Sequence, residues 1–406
     1  MSEFLFLAHR VPFPPNRGDK IRAHHLLKKL AQLAPVHAGC FAESDEDRAG
    51  EGELSALCAS HCIVNRTKPL VLAGAEAVLS GKPVSLTAFN SQRLEKWVRD
   101  KIAERPISII VIFSGQMGQY VPEAFGGRVV IDLCDVDSAK FEGYAETGER
   151  VWLNAREGRL LAREEARLAE RADATILISE NEAALFRSRL EAPQRTNVQV
   201  IGNGIDAGFF DPSTTKPHSD LEMQSGPHFV FTGQMDYAPN VTAVEWTAHN
   251  FMPQIRERFS HAQFHIVGRN PAKAVRALDG VNGTKVWGEV PDVRPFLAAA
   301  ACVVAPLQIA RGVQNKVLEA MAMERPVMLT PEAATGIDAV DGEHWLLCAA
   351  DGHAMCKRMA ALLADESRAT KIGEAARRFV LANHAWDAML APLDSLVRNR
   401  EARNAA

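Results

Sequence analysis

The segment from Ala310 to Leu329 reads ARGVQNKVLEAMAMERPVML. An apolar run, ACVVAPL (301–307), stands just before it, and its own last residues, RPVML (325–329), make another. Strand, glycine-bearing loop, helix, strand is a βαβ unit, and continuous apolar runs mean strands covered on both faces. Ligands of such sheets sit beyond the carboxyl ends of the strands. Gly312 lets the backbone approach a ligand closely. The N–H groups of Val313, Gln314, Asn315 and Lys316 are expected to open the helix, and a helix N-terminus favours an anion. Lys316 places a cation in the first turn, against the helix dipole. A phosphate explains that placement better than a structural role does. Glu319, one turn on, is placed to accept hydrogen bonds from sugar hydroxyls. The plain alternatives are a solvated lysine and a surface glutamate.

Working outward, the same kind of run recurs. Six come early: EFLFLA (3–8), VHAGCFA (36–42), ISIIVIF (107–113), RVVIDL (128–133), ATILIS (174–179) and NVQVIG (197–202). Six follow: HFVFTG (228–233), AQFHIVG (262–268), TKVWG (284–288), ACVVAPL, RPVML and EHWLLC (343–348). Longer amphipathic stretches separate them, which predicts two doubly wound α/β domains. A chain of 406 residues is long enough for two cores. Between the two sets, IGNGIDAGFFDPSTTKPHSD (201–220) loses its apolar period and gathers Gly, Asn, Asp, Pro and Ser. The expected division is therefore an N-terminal domain over 1–205, a C-terminal domain over 206–385, and a final helix over 386–406 that packs back on the first. The segment 138–172, rich in Arg and Glu, is expected as one or two exposed helices whose charges form a solvated face.

Composition narrows the function classes. Apolar residues make up 47% and charged residues 24%, which suits a globular rather than a disordered chain. A net charge of -4 argues against nucleic acid as the main partner. No run is long enough to span a bilayer, the start lacks the basic opening of an export signal, and seven scattered cysteines read as reduced thiols. The expected location is cytoplasmic. Cys58, His61 and Cys62 have the letters of a metal cluster but lack a fourth ligand nearby. Asp135 and Asp137, in DVD at the end of an N-domain strand, are a weak match to a metal site, and no metal is expected.

Taken together the motifs resemble group 1 retaining glycosyltransferases of the GT-B fold, two Rossmann-like domains facing across a cleft. LEAMAMERPV resembles that family's usual continuation, and Glu319 matches the second of its two glutamates, which binds the ribose of a nucleotide donor. IGNGIDAGFFDP looks like the interdomain signature, and TILISENEAALF like the strand and helix before it. FVFTGQMDYAPN and FHIVGRNP look like the first two donor-domain strands with their ligand loops, which brings Gly233, Gln234, Asn240 and Arg269 into the expected donor site. The resemblance implies transfer of a sugar, with retention and without a metal or bound cofactor. The sugar passes from a nucleotide-diphosphate sugar, the co-substrate, to a saccharide or lipid-linked acceptor. VIDLCDVDSAKF, TGQMDYAPN and RGVQNKVLEAMAM further resemble a subgroup associated with PEP-CTERM/exosortase exopolysaccharide loci. An epimerase of the same fold, or a catalytically silent scaffold, is the rival reading.

Departures accompany the resemblance. Arg311 stands where the family has its first glutamate. Gln234 and Asn240 stand where many members carry an Arg and a Lys for the diphosphate, so Arg311 and Lys316 are expected to supply that charge. Asp135 occupies the place of a catalytic-loop histidine and is expected to orient the acceptor hydroxyl or steady ring charge, with a helix-capping Asp as the alternative. His9, at the end of the first strand, is the other catalytic candidate. In HRVPFPPNRGDKIRAHH (9–25), Gly18 opens a helix and is implied to contact the diphosphate. Arg17, Lys20, Arg22, Lys28 and Lys29 make helix 19–33 a candidate for weak, electrostatic contact with the cytoplasmic membrane face. GEVPD (288–292) is expected to meet the base edge, with Asp292 capping the next helix.

Overall fold

The computed structural model describes residues 2–148, 150–310 and 312–398. The chain divides into two compact units. The first takes the chain up to Asn203 and again from Met389, and the second runs from Gly204 to Ala388.

The first unit is built on seven parallel strands: β1 (Glu3–Ala8), β2 (Val36–Ala42), β3 (Ser60–Asn65), β4 (Ile107–Phe113), β5 (Arg128–Cys134), β6 (Ala174–Leu177) and β7 (Val198–Val200). Their order is β3-β2-β1-β4-β5-β6-β7. All six residues of β1 are buried, as a central strand covered on both faces requires. β6 stops two residues short of the apolar run because Ser179 turns to cap the next helix, accepting from the N–H of Glu182 at 3.2 Å. β3 is an edge strand whose exposed positions break the apolar run that marks the others.

The second unit repeats the plan with six: β8 (His228–Thr232), β9 (Gln263–Val267), β10 (Thr284–Gly288), β11 (Cys302–Ala305), β12 (Val327–Leu329) and β13 (Leu346–Leu347), in the order β10-β9-β8-β11-β12-β13. Strand order reverses between β1 and β4 in one sheet and between β8 and β11 in the other. Such switch points open a crevice at the carboxyl ends of the strands. Both units are doubly wound parallel α/β domains.

Two expectations need correction. Helix Gly18–Leu33 does not present a basic face. Arg22 is only 2% exposed and forms an ion pair with Asp132 at 2.8 Å, while Lys20 is 3% exposed and meets Asp47 at 2.8 Å. Lys29 pairs with Asp394 of helix Ala391–Arg398 at 3.0 Å, and Arg17 with Asp19 at 2.8 Å. A sequence shows the cations of a helix but not the carboxylates that distant strands bring to them. The helices Asp137–Glu146 and Val151–Arg171 are likewise not a plain solvated face. Glu157 turns inward and accepts from the N–H groups of Val84 and Ser85 at 2.8 and 2.9 Å, holding the start of helix Val84–Ala88. Glu165 accepts from the Ser138 N–H and hydroxyl at 3.0 and 2.6 Å, and burial raises its pKa to about 7.

Candidate functional site

In the second unit, the loops after β8, β9, β10 and β11 wall a cleft of about 610 Å³. Two glycine loops form its floor. Gly233 follows β8 with φ 152°, and Gly268 follows β9 with φ 158°, both conformations that a side chain resists. The loops are laced together: Gly233 N–H donates to the Val267 carbonyl at 3.1 Å, and Met235 N–H to the Arg269 carbonyl at 2.9 Å. A Cβ on Gly268 would fall inside the Gly233 carbonyl oxygen. One on Gly233 would lie 2.9 Å from Asn240 Nδ2 and 3.2 Å from Lys316 Nζ. Glycine is therefore needed at Gly268 by close approach to backbone as well as by dihedral, while at Gly233 the dihedral asks for it and a side chain would displace Asn240 and Lys316.

Across the cleft stands helix Asn315–Ala322, with Gln314 before it. The first-turn N–H groups of Asn315 and Lys316 have no intrahelical acceptor by geometry and are available to a ligand. Gly312 has φ 67°, and a Cβ there would meet nothing, so the dihedral alone asks for glycine. Lys316 donates to Asn240 Oδ1, and its ammonium sits 4.3 Å from the centre of the Phe231 ring. Asn240, 5% exposed, donates in turn to the Gln234 carbonyl at 2.8 Å. Among the described residues Lys316 has no ion pair. Packing by the surrounding protein lowers its pKa to about 8, only partly opposed by Glu319. The same packing raises Glu319 to about 7, with Lys316 pulling the other way. The pair is thus an under-compensated cation one turn from a carboxyl group that is reluctant to ionise. Arg269 reaches Gln234 Oε1 at 3.1 Å. Glu289 and Val290, of the GEVPD loop, line the same cleft, and Asp292 accepts from the Arg294 N–H at 2.9 Å. Arg311 lies outside the described residues.

Of the expected donor residues, Gly233, Gln234, Asn240, Arg269, Val313, Gln314, Asn315, Lys316 and Glu319 all line this one cleft. Residues 226–365 match the family described as "Glycosyl transferases group 1".

That group 1 match takes in the whole cleft except Phe210. A curated relative, the lipopolysaccharide core biosynthesis mannosyltransferase LpcC of Rhizobium leguminosarum bv. viciae, is 28% identical over 238 residues. The alignment covers 54% of this chain and 62% of the relative, so the match spans about three fifths of that protein's length. Among solved structures, sucrose-phosphate synthase from Thermosynechococcus elongatus superposes with a TM-score of 0.59 at 17% identity, covering 98% of each chain. Anabaena HepE in complex with UDP-glucose superposes with a TM-score of 0.58 at 15% identity, over 97% of this chain and 99% of that one. At these identities the likeness is one of fold, and the fold is GT-B.

The remaining candidates belong to the first unit. His9 is buried, stacked on Phe113 with ring centres 5.6 Å apart, and its Nε2 lies 3.2 Å from Asp19 Oδ2. Its Nδ1 is buried without a partner among the described residues. Gly18 opens its helix in open space. Asp135 follows β5 directly, and helix Asp137–Glu146 is preceded by Val136, so Asp135 is not its cap. Its side chain reaches solvent, yet crowding by protein, and then the carboxylates of Glu182 and Asp137, raise its pKa. Sequence reasoning missed Phe231, which reads as an ordinary core residue of β8, and missed that Asn240 positions Lys316 rather than replacing a lost cation.

Proposed function

We propose that this protein is a glycosyltransferase that moves a sugar, with retention, from a nucleotide-diphosphate sugar to a saccharide or lipid-linked acceptor in polysaccharide assembly. The observation that carries the reading is Lys316: a recessed cation without an ion pair among the described residues, at a helix start, facing two glycine loops. In this reading the diphosphate lies against the Asn315 and Lys316 N–H groups and the Lys316 ammonium, and Glu319 accepts from ribose hydroxyls. Transfer breaks the bond between the anomeric carbon and the diphosphate and forms one to the acceptor oxygen, whose proton departs. Negative charge then grows on the diphosphate, where a preorganised cation and helix dipole stabilise it most. The chain's own groups supply that charge, so the reading asks for no metal. His9 and Asp135 are the proposed acceptor-side residues, with Asp135 receiving the proton.

The similarity to a lipopolysaccharide mannosyltransferase supports a saccharide acceptor, and the UDP complexes of HepE make uridine diphosphate the first nucleotide to try. Calorimetry with uridine and guanosine diphosphates tests the donor site. Wild type binds one of them, and Glu319→Ala weakens it by about 1.5–3 kcal/mol, the scale of a charge-assisted hydrogen bond. Unchanged affinity in both Glu319→Ala and Lys316→Ala would sink the assignment.

A further inference from the structure

The first unit carries an apolar surface that the donor reading does not use. Helix Leu70–Ser80, LVLAGAEAVLS, is inverted relative to a normal surface helix. Its small residues Ala73 and Ala77 are buried, while Val71 is 83% and Leu79 90% exposed. At about 100° per residue, Val71, Val78 and Leu79 lie on the side of the helix opposite Ala73 and Ala77. Leu70 and Leu72 are also largely exposed. Large apolar side chains are also exposed at the start of helix Val151–Arg171, at Val151 and Trp152, the latter by 70%. The two helices are joined where Arg156 donates to the Ala77 carbonyl at 2.7 Å. Both also wall one mainly apolar cavity of about 570 Å³, through Leu70, Val71 and Leu153. Exposed apolar side chains gathered on one helix face mark an interaction site.

Charge identifies the occupant. Lys82 follows the first helix, while Arg159 and Arg163 share with Trp152 the stripe of the second. All three cations are exposed, and among the described residues none forms an ion pair, although the chain as a whole is acidic. The one carboxylate on helix Leu70–Ser80, Glu76, is held by Lys68 at 2.8 Å. An outward apolar stripe, a tryptophan at its rim and free cations beside it are the requirements of an interfacial helix on an anionic bilayer. We propose that helix Leu70–Ser80 and Trp152 dock this protein on an anionic lipid surface, apolar side chains entering the interface and Lys82, Arg159 and Arg163 meeting headgroup phosphates. Among the described residues no helix is long and apolar enough to cross a membrane, so the attachment is peripheral. This places the contact on a different element from helix 19–33, where the ion pairs of Lys20, Arg22 and Lys29 take up the charge internally.

Flotation of the full chain with phosphatidylcholine vesicles, with and without phosphatidylglycerol, tests the proposal without any nucleotide and so separately from the donor site. Wild type floats with the anionic vesicles and less with the neutral ones. Val71→Glu/Leu79→Glu lowers the partition coefficient by roughly tenfold or more. Lys82→Glu/Arg159→Glu lowers it on anionic vesicles only. The substituted side chains are exposed, and an unchanged thermal melt verifies the fold. Absence of wild-type flotation with anionic vesicles, or equal flotation of Val71→Glu/Leu79→Glu, overturns the proposal. So does a wild-type dimer in light scattering that Val71→Glu/Leu79→Glu converts to monomer, which would assign the surface to a second copy.

Discussion

The corner after β1 and the corner after β11 are built alike, and they use their cations in opposite ways. In each, a parallel strand ends, the chain turns through a segment that includes or ends at a glycine, and a helix begins with a basic residue near its start. At the first corner the fold supplies a full counter-charge. Asp132 receives Arg22, which also donates to the Ile201 carbonyl at 2.8 Å and to Asn203 at 2.9 Å, while Asp47 receives Lys20. At the second corner Lys316 is given an amide oxygen and an aromatic face. A buried cation with a carboxylate is already satisfied and holds structure together. One left short of negative charge is open to an external anion, as the proposed donor site requires.

The largest expected effect breaks the satisfied corner. Arg22→Met leaves Asp132 buried without its partner and should cost about 3–5 kcal/mol in urea unfolding. A loss under about 1 kcal/mol, well below the cost of orphaning a buried charge, would show that the ion pair is not structural.

Lys316→Met should behave in the opposite manner. The folded pKa of Lys316, about 8, lies below the ordinary lysine value, so the fold disfavours its charge at neutral pH. Removing it should leave stability unchanged or raised, while nucleoside diphosphate affinity falls by about 1.5–3 kcal/mol. Destabilisation on the scale of Arg22→Met would erase the contrast between the two corners.

pH sharpens the comparison further. The proposed binding needs Lys316 charged, so affinity should decline as pH rises above about 8. It requires Glu319 ionised as an acceptor, so affinity should also decline as pH falls below about 7. Each limb approaches a tenfold loss per pH unit, or about 1.4 kcal/mol. Titration calorimetry carried on the order of two pH units beyond each limb should give a bell, and Glu319→Gln should flatten its acid side. A flat wild-type profile would remove both groups from the site.

The smallest effect is that of Asn240→Ala. The amide orients Lys316 without meeting the ligand's charge, so its loss should weaken binding by about 1 kcal/mol, less than removal of the ammonium itself. A loss equal to that of Lys316→Met would mean that Asn240 itself holds the ligand.

Much of this was legible in the chain. Twelve apolar runs marked the sheet strands because a strand covered on both faces carries few charges, each of which, like Asp132 on β5, needs a partner, and β3 was obscured because an edge strand exposes polar positions. Lys316 and Glu319 could be singled out because a cation at a helix start has few structural explanations, and Gly233 through the family resemblance of its segment. The use of each charge was not legible. Arg22 and Lys316 look equivalent as letters, and only the approach of Asp132, 110 residues away, makes one of them inert. Helix Leu70–Ser80 shows the same limit: its apolar composition reads as core, and only the packing of Ala73 and Ala77 turns its larger side chains outward. Local sequence determines which groups a strand or helix offers, through periodicity and backbone preference. Whether a charge is neutralised or an apolar face covered depends on partners distant in the chain, and tertiary structure alone decides it.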